Sequence, residues 1–216
     1  MACGGDSGPP TSDIVSTIPW RGNQSLSYQL KDKDGLIIGR GTLLVVPKGE
    51  TLNLAQAFES GSNRDETSVA VDGRTLKPIS ASRRIFTPDD ETTLEVTYTA
   101  EGAIIKQDEK QSGLSVPEHA YDNDTSLFLW STVDFREGYE ASYVTIITNR
   151  RSRQTVTLRV TGRERVRVPA GEFDCWRLEI ETSNAKQVAW YADTPARPLV
   201  RYDNDRDLIF ELETAP

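Results

Sequence analysis

Between Arg151 and Val168 the side chains divide by parity. Arg151, Arg153, Arg159, Arg163, Arg165 and Arg167 stand at odd positions, together with Thr155, Thr157 and Thr161. Val156, Leu158, Val160, Val166 and Val168 stand at even ones. An extended strand sends alternate side chains to opposite faces, so one face is expected to be basic and the other apolar. Gly162, on the apolar side, suits a bend or bulge. Glu164 also falls on the apolar side, and without a bulge it points inward. A buried carboxylate needs partners or a shifted pKa. Such a group could orient a ligand, act as an acid–base in hydrolysis, or accept backbone N–H bonds at the bend. The outer face, with Arg163, Arg165 and Arg167, could bind anionic headgroups, cell-wall polymer or a partner protein. It could equally be a solvated face paired with acidic neighbours such as Glu179 and Glu181.

Other chemistry is sparse. His119 is the one histidine, which excludes His-rich metal sites and paired-histidine catalysis. Asp203-Asn204-Asp205-Arg206-Asp207 offers alternate oxygens as a calcium loop does, but lacks its sixth-position Gly and closing Glu. It reads as an Asp-rich turn, and no metal is expected. Asp122-Asn123-Asp124 reads as a helix cap. Gly5-Asp6-Ser7-Gly8-Pro9 looks like the nucleophile segment of a trypsin-like protease, yet no His or Asp of the required kind precedes it. No phosphate loop, CxxC or dinucleotide glycine pattern appears, so no cofactor is expected. With 25 Lys plus Arg against 33 Asp plus Glu, the net charge of −8 argues against nucleic-acid binding.

The cysteines bear on location. Met1-Ala2-Cys3-Gly4-Gly5 opens a small, polar stretch through Asp13 that can bury nothing, and residues 1–13 read as a flexible tether. A cysteine after Ala, followed by Gly-Gly and such a tether, resembles the mature start of a bacterial lipoprotein. There the cysteine is acylated after leader removal. The resemblance implies that Cys3 is a lipid attachment site, that Met1 stands where a leader was removed, and that the chain is tied to a membrane outside the cytoplasm. Cys175 sits in a strand-like run and reads as a small buried hydrophobe; a Cys3–Cys175 disulfide would discard the anchor.

These groups must be positioned by β structure. From Ile14 onward Val, Ile, Thr and aromatic residues alternate with charged ones. Hairpin signals fall at Asp32-Lys33-Asp34-Gly35, Asp72-Gly73 and Glu101-Gly102. Pro78 marks an edge or bulge. The rhythm breaks once, at 122–135, where capping residues precede Leu127, Phe128, Leu129, Trp130 and Val133. The pattern predicts a short helix, apolar nearly all round and therefore buried. It also predicts one β-rich domain over 14–216, a curved antiparallel half-barrel of about ten to twelve strands with one or two short helices on its concave side.

One group of motifs resembles a known family. Gly162-Arg163-Glu164-Arg165-Val166, then Val168-Pro169-Ala170-Gly171-Glu172-Phe173, then Trp190-Tyr191 resemble a signature of uncharacterised secreted bacterial proteins. That signature is a Gly-x-Glu strand, a Pro-Ala-Gly-x-Phe turn and a Trp-Tyr pair. Tyr121-Asp122-Asn123 through Trp130, Gly138-Tyr139, and Asp72 through Pro78 look like the same family. It is similar to the periplasmic Lol-type lipoprotein carriers, whose curved sheets hold acyl chains beneath short helices. The resemblance brings no catalytic residue with it.

The resulting expectation is a non-enzymatic envelope lipoprotein that binds a lipid-like or other apolar ligand. Leu127, Trp130, Trp176, Trp190 and Glu164 are its candidate lining. Faces Trp176/Leu178/Ile180, Val188/Trp190/Ala192 and Leu208/Phe210/Leu212 are expected to form a pocket or an ordinary filled core. The alternatives are surface binding through the arginine face and a hydrolase built on Glu164.

Overall fold

The computed structural model describes residues 10–214. Cys3 and the expected anchor lie outside the described residues. One sheet of fifteen strands makes up the molecule. The first eight are β1 (Gln24–Lys31), β2 (Ile37–Lys48), β3 (Thr51–Ser60), β4 (Asn63–Asp72), β5 (Pro78–Phe86), β6 (Glu91–Thr99), β7 (Gly102–Gln107) and β8 (Lys110–Leu114). The remaining seven are β9 (Ala120–Asp122), β10 (Glu140–Ile147), β11 (Ser152–Val168), β12 (Gly171–Thr182), β13 (Ala185–Ala192), β14 (Leu199–Asp203) and β15 (Ile209–Leu212). Their spatial order is β8 through β1, then β15 back through β9. Every pairing is antiparallel except that of β9 with β10.

The path explains the curvature. The chain meanders from β1 at the centre to β8 at one edge. It then reaches β9, at the opposite edge, through only the five residues 115–119. Five residues reach at most roughly 20 Å, so the two edges must lie close together. The sheet therefore curls almost into a barrel without closing. Side chains bridge the gap: Arg151 Nε donates to Ser112 Oγ at 2.9 Å, and Arg153 Nη1 to Ser115 Oγ at 2.9 Å.

The concave side holds the 122–135 insert. Its α-helical part is a single turn, α1 (Ser126–Leu129), flanked by 3-10 turns at Asn123–Thr125 and Trp130–Thr132. Asp122 caps the first of these 3-10 turns, accepting from Asp124 N–H at 2.8 Å. Leu129 and Val133 are fully buried and Phe128 and Trp130 nearly so. So short a segment cannot satisfy its own carbonyls, and the surroundings do. Tyr191 Oη donates to Leu127 O at 2.7 Å, and Arg197 Nη1 to Val133 O at 2.9 Å. Ser16 and Thr17 N–H both reach Thr132 O.

The sheet extends beyond the strand number expected, because residues 51–114 form six strands with tight turns. Pro78 does begin a strand beside a register shift at Ala70/Val71. Ser12 and Asp13, expected in the tether, are docked instead. Ser12 N–H donates to Ser142 O at 2.8 Å and Asp13 meets Lys77 Nζ at 2.5 Å.

Two side-chain placements require correction. Glu164 does not point inward. The β11–β12 register shifts between Val160 and Gly162, Gly162 adopts φ +148°, and the bulge re-aims the strand. The Glu164 side chain is 47% exposed. On β13 it is Ala189 and Tyr191, not Val188 and Trp190, that are buried, beside a register shift at Trp190/Tyr191.

If the insert is the filling of the sheet, Leu129→Ala should cost about 2–5 kcal/mol in urea unfolding. A loss near zero would place the insert outside the core.

Candidate functional site

The insert does not fill the whole interior. Between its first turn and the sheet lies an open cleft of about 420 Å³, within the range of small-molecule sites. Its wall is aromatic. Trp130 and Tyr202 ring centroids are 5.9 Å apart, Tyr202 and Phe210 5.3 Å, and Phe210 and Phe58 5.1 Å. Trp130 Nε1 donates to Tyr143 Oη at 2.8 Å, so its polar edge is already engaged. Leu127, Val156 and Ile180 add aliphatic surface. The mouth is polar, with Gln154, Asn184, Gln187, Arg150 and Arg206.

One side of the cleft carries buried charge. Arg83 grips Asp65 with two bonds, Nε to Oδ1 at 2.9 Å and Nη2 to Oδ2 at 2.5 Å. Its Nη1 lies 3.7 Å from Asp124 Oδ1. Asp122 accepts from Tyr98 Oη at 2.5 Å and is 1% exposed. Burial, and then the neighbouring Asp124 carboxylate, push the Asp122 carboxyl up to about 7. Burial raises Asp124 as well, against the pull of Arg83. Thr145 Oγ1, on the cleft wall, is buried and has no hydrogen-bond partner.

The structure divides the expected ligand-lining set among three places. Leu127 and Trp130 line this cleft. Trp176 lines a second, open hollow of about 750 Å³ with Trp20, Phe135 and Arg197. There Arg163 lies 4.2 Å over its ring and Asp193 accepts from its Nε1 at 2.9 Å. Trp190 and Glu164 are on the outside. Trp190 Nε1 donates to Glu164 Oε1, and Arg177 Nε lies 3.7 Å from the same carboxylate. Glu164 thus serves as a surface partner of Arg177, away from the interior. Arg163, Arg165 and Arg167 are exposed, as expected, but each has an acidic neighbour. Asp193 meets Arg163 at 2.9 Å, Asp174 meets Arg165 at 3.4 Å, and Glu172 meets Arg167. Cys175 is fully buried, and burial pushes its thiol up to about 12, which makes it inert. The Asp203–Asp207 run forms a turn in which Asp203 and Asn204 side chains accept backbone N–H bonds.

Sequence reasoning missed Arg83, Thr145 and the second role of Asp122 and Asp124. Two signals existed. Arg83 shares parity with buried Ala81 on β5, and Thr145 shares it with buried Tyr143 on β10.

This fold and cleft define an open, barrel-like β-sheet protein with an internal aromatic cleft. The chain belongs to the DUF3108 family, proteins of unknown function, whose model matches residues 25–208. A search of curated proteins finds no relative. Among solved structures it is similar to a β-barrel-like protein of domain of unknown function DUF1849 from Brucella abortus. The two are 9% identical with a TM-score of 0.58, covering 89% of this chain and 95% of that one. That likeness shows the fold alone. Weaker likenesses are a "putative lipoprotein" from Parabacteroides distasonis and a "putative exported protein with YmcC-like fold" from Bacteroides fragilis. The first has a TM-score of 0.37 at 13% identity and the second 0.31 at 11%; each covers 94% of this chain and 99% of its own. At those scores neither carries an argument.

The buried carboxyl pair makes stability depend on pH. Asp122 holds its proton more tightly folded than unfolded, where a carboxylate titrates near about 3.9. Its contribution is present at low pH and is lost as pH rises from about 4 to about 7. Asp72, held low by N–H groups of Thr75 and Arg74, titrates below that window. Acidifying from pH 8 to pH 5 should therefore raise the thermal midpoint, and Asp122→Asn should flatten the rise. An equal slope in both proteins would show that Asp122 is ionised throughout.

Proposed function

We propose that the protein is a non-enzymatic binding protein of the bacterial cell envelope. Its cleft holds the apolar body of a lipid-like, amphipathic ligand against Trp130, Tyr202 and Phe210, and the polar mouth leaves the ligand's other end in water. One observation carries the reading: beside the insert about 420 Å³ of space stays open on the concave side, walled in part by Trp130, Tyr202 and Phe210. Interiors are normally packed to crystal density, so a lined opening of this size is a feature to be explained. The Lol-like resemblance of the sequence supports a curved sheet used as a container, and the Brucella abortus likeness supports the curved sheet alone.

Membrane attachment belongs to the same proposal. Among the described residues no helix is long and apolar enough to cross a membrane. The proposed anchor is acylation of Cys3, supported by its Gly-Gly-containing polar tether.

The cleft is tested with N-phenyl-1-naphthylamine, an apolar probe that brightens out of water. It should bind the full chain saturably at one site. Ala185→Trp, which narrows the cleft at its wall, should weaken that binding at least about tenfold. Unchanged brightening in that variant would move the apolar site elsewhere.

A further inference from the structure

The charged side of the cleft goes further than an apolar container requires. Counting the groups that face one another gives three carboxylates, Asp65 on β4, Asp122 at the end of β9 and Asp124 in the insert, against one guanidinium, Arg83 on β5. The bidentate bond of Arg83 satisfies Asp65. Asp122 has the Tyr98 hydroxyl and the Asp124 N–H. Asp124 is the least compensated. It is 8% exposed, lines the cleft, has the Asn123 side chain as a hydrogen-bond neighbour, and meets its one positive group, Arg83, only at 3.7 Å. A buried carboxylate left in this state is costly unless a positive group arrives.

A second observation points to the same space. Thr145 lies on β10, in the same cleft wall. It is only 2% exposed, and its hydroxyl has no partner. Buried hydroxyls are normally paired, and an unpaired one lining a cleft is a group awaiting a ligand. The aromatic wall described above lies beside both groups, and it also favours cations over its ring faces.

We infer that the cleft selects an amphipathic primary amine, whose ammonium sits at Asp124 with Thr145 as a second acceptor and whose apolar body lies on the Trp130–Tyr202–Phe210 wall. This rests on the cleft being the ligand site and names the class of ligand it takes. An ammonium supplies the missing positive charge and donates three hydrogen bonds, enough for the Asp124 carboxylate and the unpaired Thr145 hydroxyl together. The Arg150 and Arg206 side chains stand at the mouth, which disfavours a cation there and leaves the inner carboxylate as its one compensated position.

Matched eight-carbon probes separate the two ideas. Octylamine, octanol and octanoate are titrated calorimetrically into the full chain at pH 8, where the amine is an ammonium. Octylamine should bind about tenfold or more tighter than octanol. Asp124→Asn should weaken octylamine about tenfold and so remove that preference, and its thermal midpoint reports that the variant is folded. Thr145→Val, nearly the same shape, should weaken octylamine by a few-fold. Equal binding of amine and alcohol, or tightest binding of octanoate, would overturn the amine assignment and leave the cleft standing as an apolar site. If none of the three binds, both readings fall.

Discussion

The whole architecture depends on the short crossing from β8 to β9. Five residues join strands at opposite edges of a fifteen-stranded sheet. A flat or gently twisted sheet of that width would hold those edges far apart. The connection is possible only if the sheet curls until its edges face each other, and once curled it has an inside. Right-handed twist supplies the tendency to curl, and the crossing sets how far it goes. The parallel β9–β10 pair arises from the same demand, since β9 must enter at the edge before the insert turns inward and the chain returns as β10.

An inside must be filled or lined. The insert is too short to be a stable helix alone; Tyr191 of the sheet takes the Leu127 carbonyl of its single α-turn, and Arg197 from the β13–β14 loop takes the Val133 carbonyl beyond it. Its apolar residues complete a core that runs from Tyr28 and Val69 on one half of the sheet to Leu158 and Leu178 on the other. The first cleft lies by its N-terminal turn, which Asp122 caps. Cap and cleft are therefore one place. Asp122 caps the first helical turn from a buried position, and Asp124 within that turn brings a nearly buried carboxylate to the wall of the open cleft.

The sequence displays the alternation, the hairpin turns and the apolar insert openly, because each is a local pattern of residue types. The long β11 strand, with its valines turned in and arginines out, is legible residue by residue except at Glu164. There the bulge at Gly162 leaves the carboxylate outside, while Val166 and Val168 beyond it are buried and Arg165 and Arg167 exposed, as the alternation has it. Parity alone sends Glu164 and Trp190 to the interior, each beside a register shift. The site is less legible still. Arg83, Asp124 and Thr145 come from three elements far apart in the chain, and only the closing of the sheet brings them to one cavity. Arg83 at an inward position is readable as an anomaly, but its partners are not.

The same curl explains why the cleft is mixed in character. The aromatic wall comes from β3, β14, β15 and the insert, which supplies Trp130. The charged groups come from β4, β5 and the same insert, and Asp65 stands directly across from Phe58 in the β3–β4 register. Because the curl brings apolar and charged groups to one opening, an all-apolar filling would leave the carboxylates without partners, and an all-polar one would leave the aromatic rings in water. That mixed lining is what the proposed amphipathic amine matches.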